Sequence, residues 1–186
     1  MARSIQENPA AGSGQSDDVE QYDVVIIGAG VTGLYALYRL RGLGLSVRVV
    51  DEASGVGGTW YWARYPGCRF DSESYSYGYS FSEELLQEWD WEEHYAGQPE
   101  TERYLNYVAD KFDLRKDIQF HTRVKSATYN EDENRWLVEA TDGRKISGQF
   151  LVTAVGLLSA GYIPDFEGIH DFKGPWCHTG RWPKEG

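Results

Sequence analysis

Gly28, Gly30 and Gly33 form a Gly-x-Gly-x-x-Gly stretch directly behind the apolar, β-branched run Val24-Val25-Ile26-Ile27. A helical pattern through Leu34, Leu37, Tyr38 and Leu40 follows at once. Strand, tight glycine turn and helix in that order suit a pyrophosphate. The first glycine permits the turn, the second lets backbone approach the phosphates, and the third lets helix and strand pack closely. The helix N-terminus adds free N–H groups and a partial positive charge, and Thr32 lies in that first turn. A second strand, Leu45 to Val50, ends in Asp51-Glu52. An acid about 20 residues past the glycines accepts hydrogen bonds from ribose hydroxyls. Asp51 is the stronger candidate because it directly follows the strand, with Glu52 beside it. The competing reading is a bare βαβ turn whose acid caps the strand end.

Further polar and aromatic residues are placed to extend such a site. Gly57-Gly58-Thr59-Trp60-Tyr61-Trp62 offers a second close backbone approach, and Trp60 and Trp62 are expected to wall a flat ring system. The segment from Ala63 to Phe81 is turn-forming, with Pro66-Gly67 at one bend, and is dense in aromatic and charged residues. Ordered loops of this kind carry function more often than packing. Asp71 stands there between Phe70 and a polar run, with a turn cap as its structural alternative. His121 reads as a structural histidine.

These residues need a frame. Ser82 to Trp91 reads as a short surface helix with Ser82 as N-cap. Pro99 to Phe112 reads as a longer helix with Tyr104, Leu105, Val108 and Phe112 on one face. Ile118 to Thr122 reads as a strand. Val124 to Tyr129, Arg135 to Ala140 and Lys145 to Phe150 alternate as a small antiparallel meander, with Asn130–Asn134 and Asp142-Gly143 as turns. Phe150 to Gly156 returns as a buried apolar strand. The fold class is α/β: a Rossmann-type parallel sheet with a small antiparallel β-meander insert. By analogy of fold, that meander crossover favours FAD over NAD as the bound dinucleotide.

The chain has 186 residues, enough for one domain or slightly more, and ordinary apolar and charged content for a globular protein. Seven Trp within 15 % aromatic residues suit a large core or an apolar cofactor site. A net charge of −11 argues against nucleic acid or an anionic membrane as the main partner. Cys68 and Cys177 are too few for a disulfide framework and lack metal-ligand spacing, so two reduced thiols in a cytoplasmic protein, and no metal, are expected. No apolar run is long enough to span a bilayer. Residues 1–21 read as a flexible tail without a secretory signal.

One further stretch is specific. Phe172, Gly174, His178, Thr179, Trp182 and Pro183 match the Phe-x-Gly-x-x-x-His-Thr-x-x-Trp-Pro fingerprint of Baeyer–Villiger monooxygenases. Together with the glycine motif and Gly-Gly-Thr-Trp-Tyr-Trp, the resemblance runs from Tyr22 to the end. It is nearest to the cyclohexanone, phenylacetone and steroid monooxygenase branch.

The resemblance implies an enzyme that uses FAD, NADPH and dioxygen to insert one oxygen atom beside a ketone carbonyl, giving an ester or lactone. It implies FAD contacts at Gly28, Gly30, Thr32, Gly33, Asp51, Glu52, Gly58, Thr59, Trp60, Tyr61, Trp62, Tyr77, Val124 and Gly156. It places Arg69, Phe70 and Asp71 beside the nicotinamide, with Asp71 as the active-site aspartate that positions an arginine. His178 is implied as an organiser of the interdomain loop. Residues 22–160 then form the FAD-binding domain and 161–186 a linker. The relatives continue with an NADPH domain, so this stretch is expected to be an N-terminal part without turnover of its own. Ala63 stands where the relatives usually carry Asn. The alternatives are a flavin-containing monooxygenase acting on nitrogen or sulfur, and a non-catalytic FAD-binding fragment. The resemblance implies no nucleic-acid, membrane or protein partner.

Overall fold

The computed structural model describes residues 19–183, so most of the expected N-terminal tail lies outside the described residues. Glu20 and Gln21, which the sequence reading assigned to that tail, belong to the first strand, where both pair with residues of the last.

Strand β1 (Glu20–Ile27) is the centre of a six-stranded sheet. Its neighbours are β2 (Val47–Val50) and β6 (Lys145–Thr153), both parallel to it. Beyond β2 lies β3 (Ile118–Gln119), also parallel. Beyond β6 lie β5 (Arg135–Ala140) and β4 (Val124–Asn130), joined antiparallel, so the order is β3-β2-β1-β6-β5-β4. Val24, Val25 and Ile26 of β1 are almost fully buried, as continuous apolar strands at a sheet centre should be. The period-2 alternation splits them between faces. Val24 and Ile26 join the large core beneath the helices, and Val25 joins a smaller cluster with Val50, Val138 and Ile146.

The helical layer consists mainly of α1 (Val31–Gly42) and α5 (Gln98–Lys111). Between them come three short helices: α2 (Thr59–Trp62), α3 (Ser74–Tyr77) and α4 (Glu83–Glu88). The expected face of α5 is buried through Tyr104, Leu105 and Val108, with Phe112 at the C-cap half-buried. Ser82 does cap α4, its hydroxyl accepting the Leu85 N–H at 3.2 Å. The helix stops at Glu88 because Trp89 is already extended (φ −104°, ψ 108°).

Two expected segments are one element. Lys145–Phe150 and the first part of Phe150–Gly156 form the single strand β6, which pairs with β1 from Glu20↔Ile146 to Ile27↔Thr153 while the other edge of its first half pairs with β5. It ends at Thr153, and Phe150 to Thr153, expected as a buried strand, are exposed or half-buried where β5 no longer lies alongside. The meander is therefore an extension of the main sheet. Conversely, β3 is shorter than expected. His121 takes a left-handed φ of 52° that ends the strand, and its N–H turns to the Ala53 carbonyl at 3.0 Å.

Candidate functional site

The glycine turn joins the carboxyl end of β1 to α1, at the edge where open α/β sheets bind ligands. Gly28 has φ 108°, and a Cβ there would lie 2.4 Å from the Ala154 carbonyl oxygen. A Cβ on Gly33 would lie 1.8 Å from the Gly28 carbonyl oxygen, so α1 can approach β1 this closely only with glycine. Gly30 is the N-cap of α1 and Gly58 the N-cap of α2, and their backbones touch: a Cβ on Gly58 would be 2.9 Å from the Gly30 Cα. The first bond within α1 is Leu34 N–H to the Gly30 carbonyl at 3.0 Å. The amides of Val31, Thr32 and Gly33 precede it, no side chain caps Gly30, and no acid occupies the first turn. The positive end of the helix dipole is left for an outside anion.

Asp51 is bonded to this turn. Its Oδ2 accepts the Ala29 N–H at 2.6 Å and its Oδ1 the Ala53 N–H at 2.8 Å. Each oxygen keeps lone-pair capacity for hydroxyl donors. Glu52 points elsewhere: it is exposed and paired with Arg123 at 2.9 Å. The two neighbouring acids are thus separated, and only Asp51 reaches the glycine turn.

The Gly-Gly-Thr-Trp-Tyr-Trp stretch lies against the seat, though its aromatic rings do not act alike. Thr59 opens α2 and is half-buried. Trp60 faces the core. Its indole N–H donates to the Tyr77 hydroxyl at 2.6 Å, and its ring stands edge-on to Phe70 and Tyr77, themselves stacked at 4.2 Å. Burial raises the Tyr77 phenol, against a smaller lowering from the Trp60 bond. In this arrangement Trp60, Phe70 and Tyr77 are packing residues behind the site, whereas the sequence reading had Trp60 as a wall. The reason is the four-residue helix, which turns alternate rings to opposite sides. Tyr61 is buried over the Gly55–Gly57 loop and shares a hydrogen bond with Ser54 at 2.7 Å. Trp62 remains half-buried at the outer end of α2.

Asp71 is exposed, and among the described residues it makes no hydrogen bond or ion pair. Arg69, two residues earlier, is held by Glu93 at 2.8 Å and by the Tyr95 carbonyl at 2.9 Å. Val124 opens β4 and packs half-buried in the smaller cluster. Gly156 lies three residues beyond β6 with φ 74°.

The fingerprint segment has local order but little burial. The Phe172 ring covers Gly174, where a Cβ would lie 2.6 Å from it, although Phe172 itself is exposed. His178 is the N-cap of a 3-10 turn over Thr179–Arg181, its Nδ1 accepting the Gly180 N–H at 3.0 Å. The same ring lies over Gly161. Trp182 is half-buried and Pro183 exposed. The segment returns to the site through Arg181, whose guanidinium sits 4.5 Å from the centre of the Trp62 ring.

Sequence reasoning did not single out Arg64, Gln98, Glu102 or Arg181. Each acts through a contact across many residues that no local pattern announces. Arg64 and Glu102 pair at 2.7 Å, 38 residues apart.

The NAD(P)-binding Rossmann-like domain family matches residues 26–86. The acetone monooxygenase (methyl acetate-forming) of Gordonia sp. (strain TY-5) is 56% identical over 88% of this chain and 31% of its own length. A Baeyer–Villiger monooxygenase of Pseudooceanicola batsensis is 51% identical over 88% of this chain and 30% of its own. The solved structure of an oxidized steroid monooxygenase bound to NADP superposes with a TM-score of 0.84 at 55% identity, covering 89% of this chain and 32% of that one. The chain is homologous to Baeyer–Villiger monooxygenases over nearly nine-tenths of its length, and it spans about a third of the length of these relatives.

Proposed function

We propose that this chain is the FAD-binding part of an NADPH-dependent Baeyer–Villiger monooxygenase. In it, residues 20–160 form the dinucleotide domain, its start moved from residue 22 by the pairing of Glu20 and Gln21, and the residues from 161 onward form the connecting segment. The observation that carries the proposal is the joined seat of Gly28, Gly30, Gly33 and Gly58, with the Asp51 carboxylate hydrogen-bonded at 2.6 Å to the turn. A cradle without Cβ atoms at a capless helix N-terminus fits a pyrophosphate, and the attached acid fits the adjoining ribose.

The chain's own residues bind and orient. The amides of the first turn of α1, Thr32 among them, hold phosphate. Gly58 and Thr59 bring a second backbone against the same ligand. Tyr61 and Trp62 bound it on the α2 side, and Trp60, Phe70 and Tyr77 stiffen that wall from behind. Val124, at the start of β4, and Gly156, beyond the end of β6, are the remaining contacts. Asp71, exposed and without a partner among the described residues, supplies a negative charge that orients an arginine from elsewhere in the longer protein, with Arg69 beside it. His178 fixes the connecting loop. The chemistry supplied by FAD, when bound, is two-electron reduction by NADPH and activation of dioxygen. The substrate class is a small ketone, converted to an ester or lactone. Free Cys68 and Cys177 suit a reducing, cytoplasmic setting. No helix among the described residues is long and apolar enough to cross a membrane.

The test is the absorption spectrum of the purified chain mixed with FAD and passed through gel filtration. A flavin spectrum that travels with the protein is expected, and a colourless folded protein would overturn the FAD assignment. Ketone-dependent NADPH consumption by a protein carrying this chain tests the reaction, and turnover with amines but not ketones would replace it with nitrogen oxygenation.

A further inference from the structure

We infer that Arg64, Gln98 and Glu102 form a positioning device that sets α2 against the glycine seat, so that α5 governs how tightly the dinucleotide is held. The inference rests on the FAD reading above.

A four-residue helix is a single turn, too short to be stable alone, and its last carbonyls have no partners within the helix. Two of those carbonyls are taken up by side chains. The Trp60 carbonyl accepts from the Gln98 amide nitrogen, and the Tyr61 carbonyl accepts from Arg64 Nε at 2.7 Å. One carboxylate then ties both donors together. Glu102 Oε1 accepts from Arg64 Nη2 at 2.7 Å, and its Oε2 accepts from the Gln98 amide at 2.9 Å. Both protons of that amide are thereby used. Gln98 is buried, and the side chains of Arg64 and Glu102 are only 26% and 22% exposed, so water competes weakly for these bonds. The Arg64 guanidinium also lies 5.1 Å from the centre of the Tyr61 ring.

The geometry gives this bridge a consequence beyond packing. Gln98 and Glu102 lie one turn apart on α5, a long helix anchored in the core through Thr101, Tyr104 and Leu105. The far end of α2 begins at Gly58, whose backbone touches Gly30. A shift of α2 therefore moves the second backbone wall of the pyrophosphate seat directly. None of the three residues needs to touch the ligand.

The experiment measures FAD affinity, visible circular dichroism of bound flavin and thermal stability for wild type, Glu102→Ala, Glu102→Gln and the control Arg103→Ala. Arg103 lies on the same helix in an exposed pair with Glu92 at 2.7 Å. Loss of charge-assisted bonds predicts about tenfold weaker FAD binding and an altered flavin dichroism for Glu102→Ala. Glu102→Gln keeps the shape and one acceptor and should fall between Glu102→Ala and wild type, while Arg103→Ala should match wild type. If Glu102→Ala binds FAD with wild-type affinity and dichroism, the inference is overturned while the FAD reading stands. It is equally overturned if affinity falls only in proportion to thermal stability, equally for Arg103→Ala. A wild-type chain that binds no flavin removes both.

Discussion

At the scale of single residues, the glycines of the turn make separable demands. Gly33 faces the Gly28 carbonyl at a distance that leaves no room for a methyl group, so the backbone must yield. Gly33→Ala should cost stability by about 1–3 kcal/mol, the usual range for overpacking, and should lose flavin as a result. Gly30 is different: a Cβ there would be 3.3 Å from the Gly58 Cα, so that backbone need yield by only a few tenths of an ångström. The branched side chain of Gly30→Val would then project where phosphate should lie. The expected outcome is a protein with near wild-type thermal denaturation that stays colourless after gel filtration with FAD. Coloured Gly30→Val protein would mean that the seat lies elsewhere. The acids were legible to a similar degree. Strand position alone pointed to Asp51 over Glu52, and the structure separates them in the same way, one onto the turn and the other onto Arg123. What was not legible is the direction of a ring. Trp60 and Trp62 differ by two positions in sequence, and only the helical turn between them sends one into the core.

At the scale of elements, the aromatic residues of the loops and of α5 form one body. The Tyr79 N–H donates to the Tyr104 hydroxyl at 2.7 Å, and Tyr104 packs against Trp89 and Trp91 at 5.2 and 4.9 Å. Burial pushes the Tyr104 phenol up to about 12 from a usual 10.0, and raises Tyr79 further with help from its phenolic neighbours. As pH rises past 10, the unfolded chain loses these protons while the folded one keeps them. Stability present below pH 10 is therefore lost progressively towards pH 12. Denaturation followed by tyrosinate absorbance should show these phenols ionising only with the loss of near-ultraviolet dichroism. Tyr104→Phe should flatten the alkaline slope, at a cost of about 1–3 kcal/mol at neutral pH for the orphaned Tyr79 N–H. The helix α5 that carries Tyr104 was legible from its apolar spacing. So was the βαβ unit, because hydrophobic period and glycine chemistry are local. Strand β6 was divided in two by the reading, since sequence alternation breaks where a strand changes from one antiparallel and one parallel neighbour to a parallel one alone. That change is a property of the sheet and leaves no local mark.

At the scale of the whole molecule, the described chain has an ordered body and a long exposed strap. Beyond β6, Leu157, Leu158, Tyr162, Phe166, Phe172 and Trp176 are all at least half exposed, and none of them joins the buried core. The strap returns to the body where His178 caps the last turn and Arg181 lies over Trp62, beside the proposed cofactor wall. The fingerprint spacing announced the histidine, but it could not announce Arg181, whose partner is set by folding. A cation over an indole in a partly exposed place contributes about 0.5–1 kcal/mol. If this contact pins the strap, Arg181→Ala should raise the detached population about two- to fivefold, and proteolysis in the rapid-opening regime reads that population. Limited proteolysis should then cut between residues 157 and 176 correspondingly faster. Cleavage within β1 to α5 should be unchanged, as should thermal denaturation of the body. Arg181→Lys retains the cation without the planar stacking and should lie between the two. Equal cleavage of wild type and Arg181→Ala would assign the holding of the strap to His178 and its capped turn alone. In that case Trp62 and the fingerprint would be neighbours in space without being coupled, and changes at the cofactor wall would not reach the connecting segment by this route.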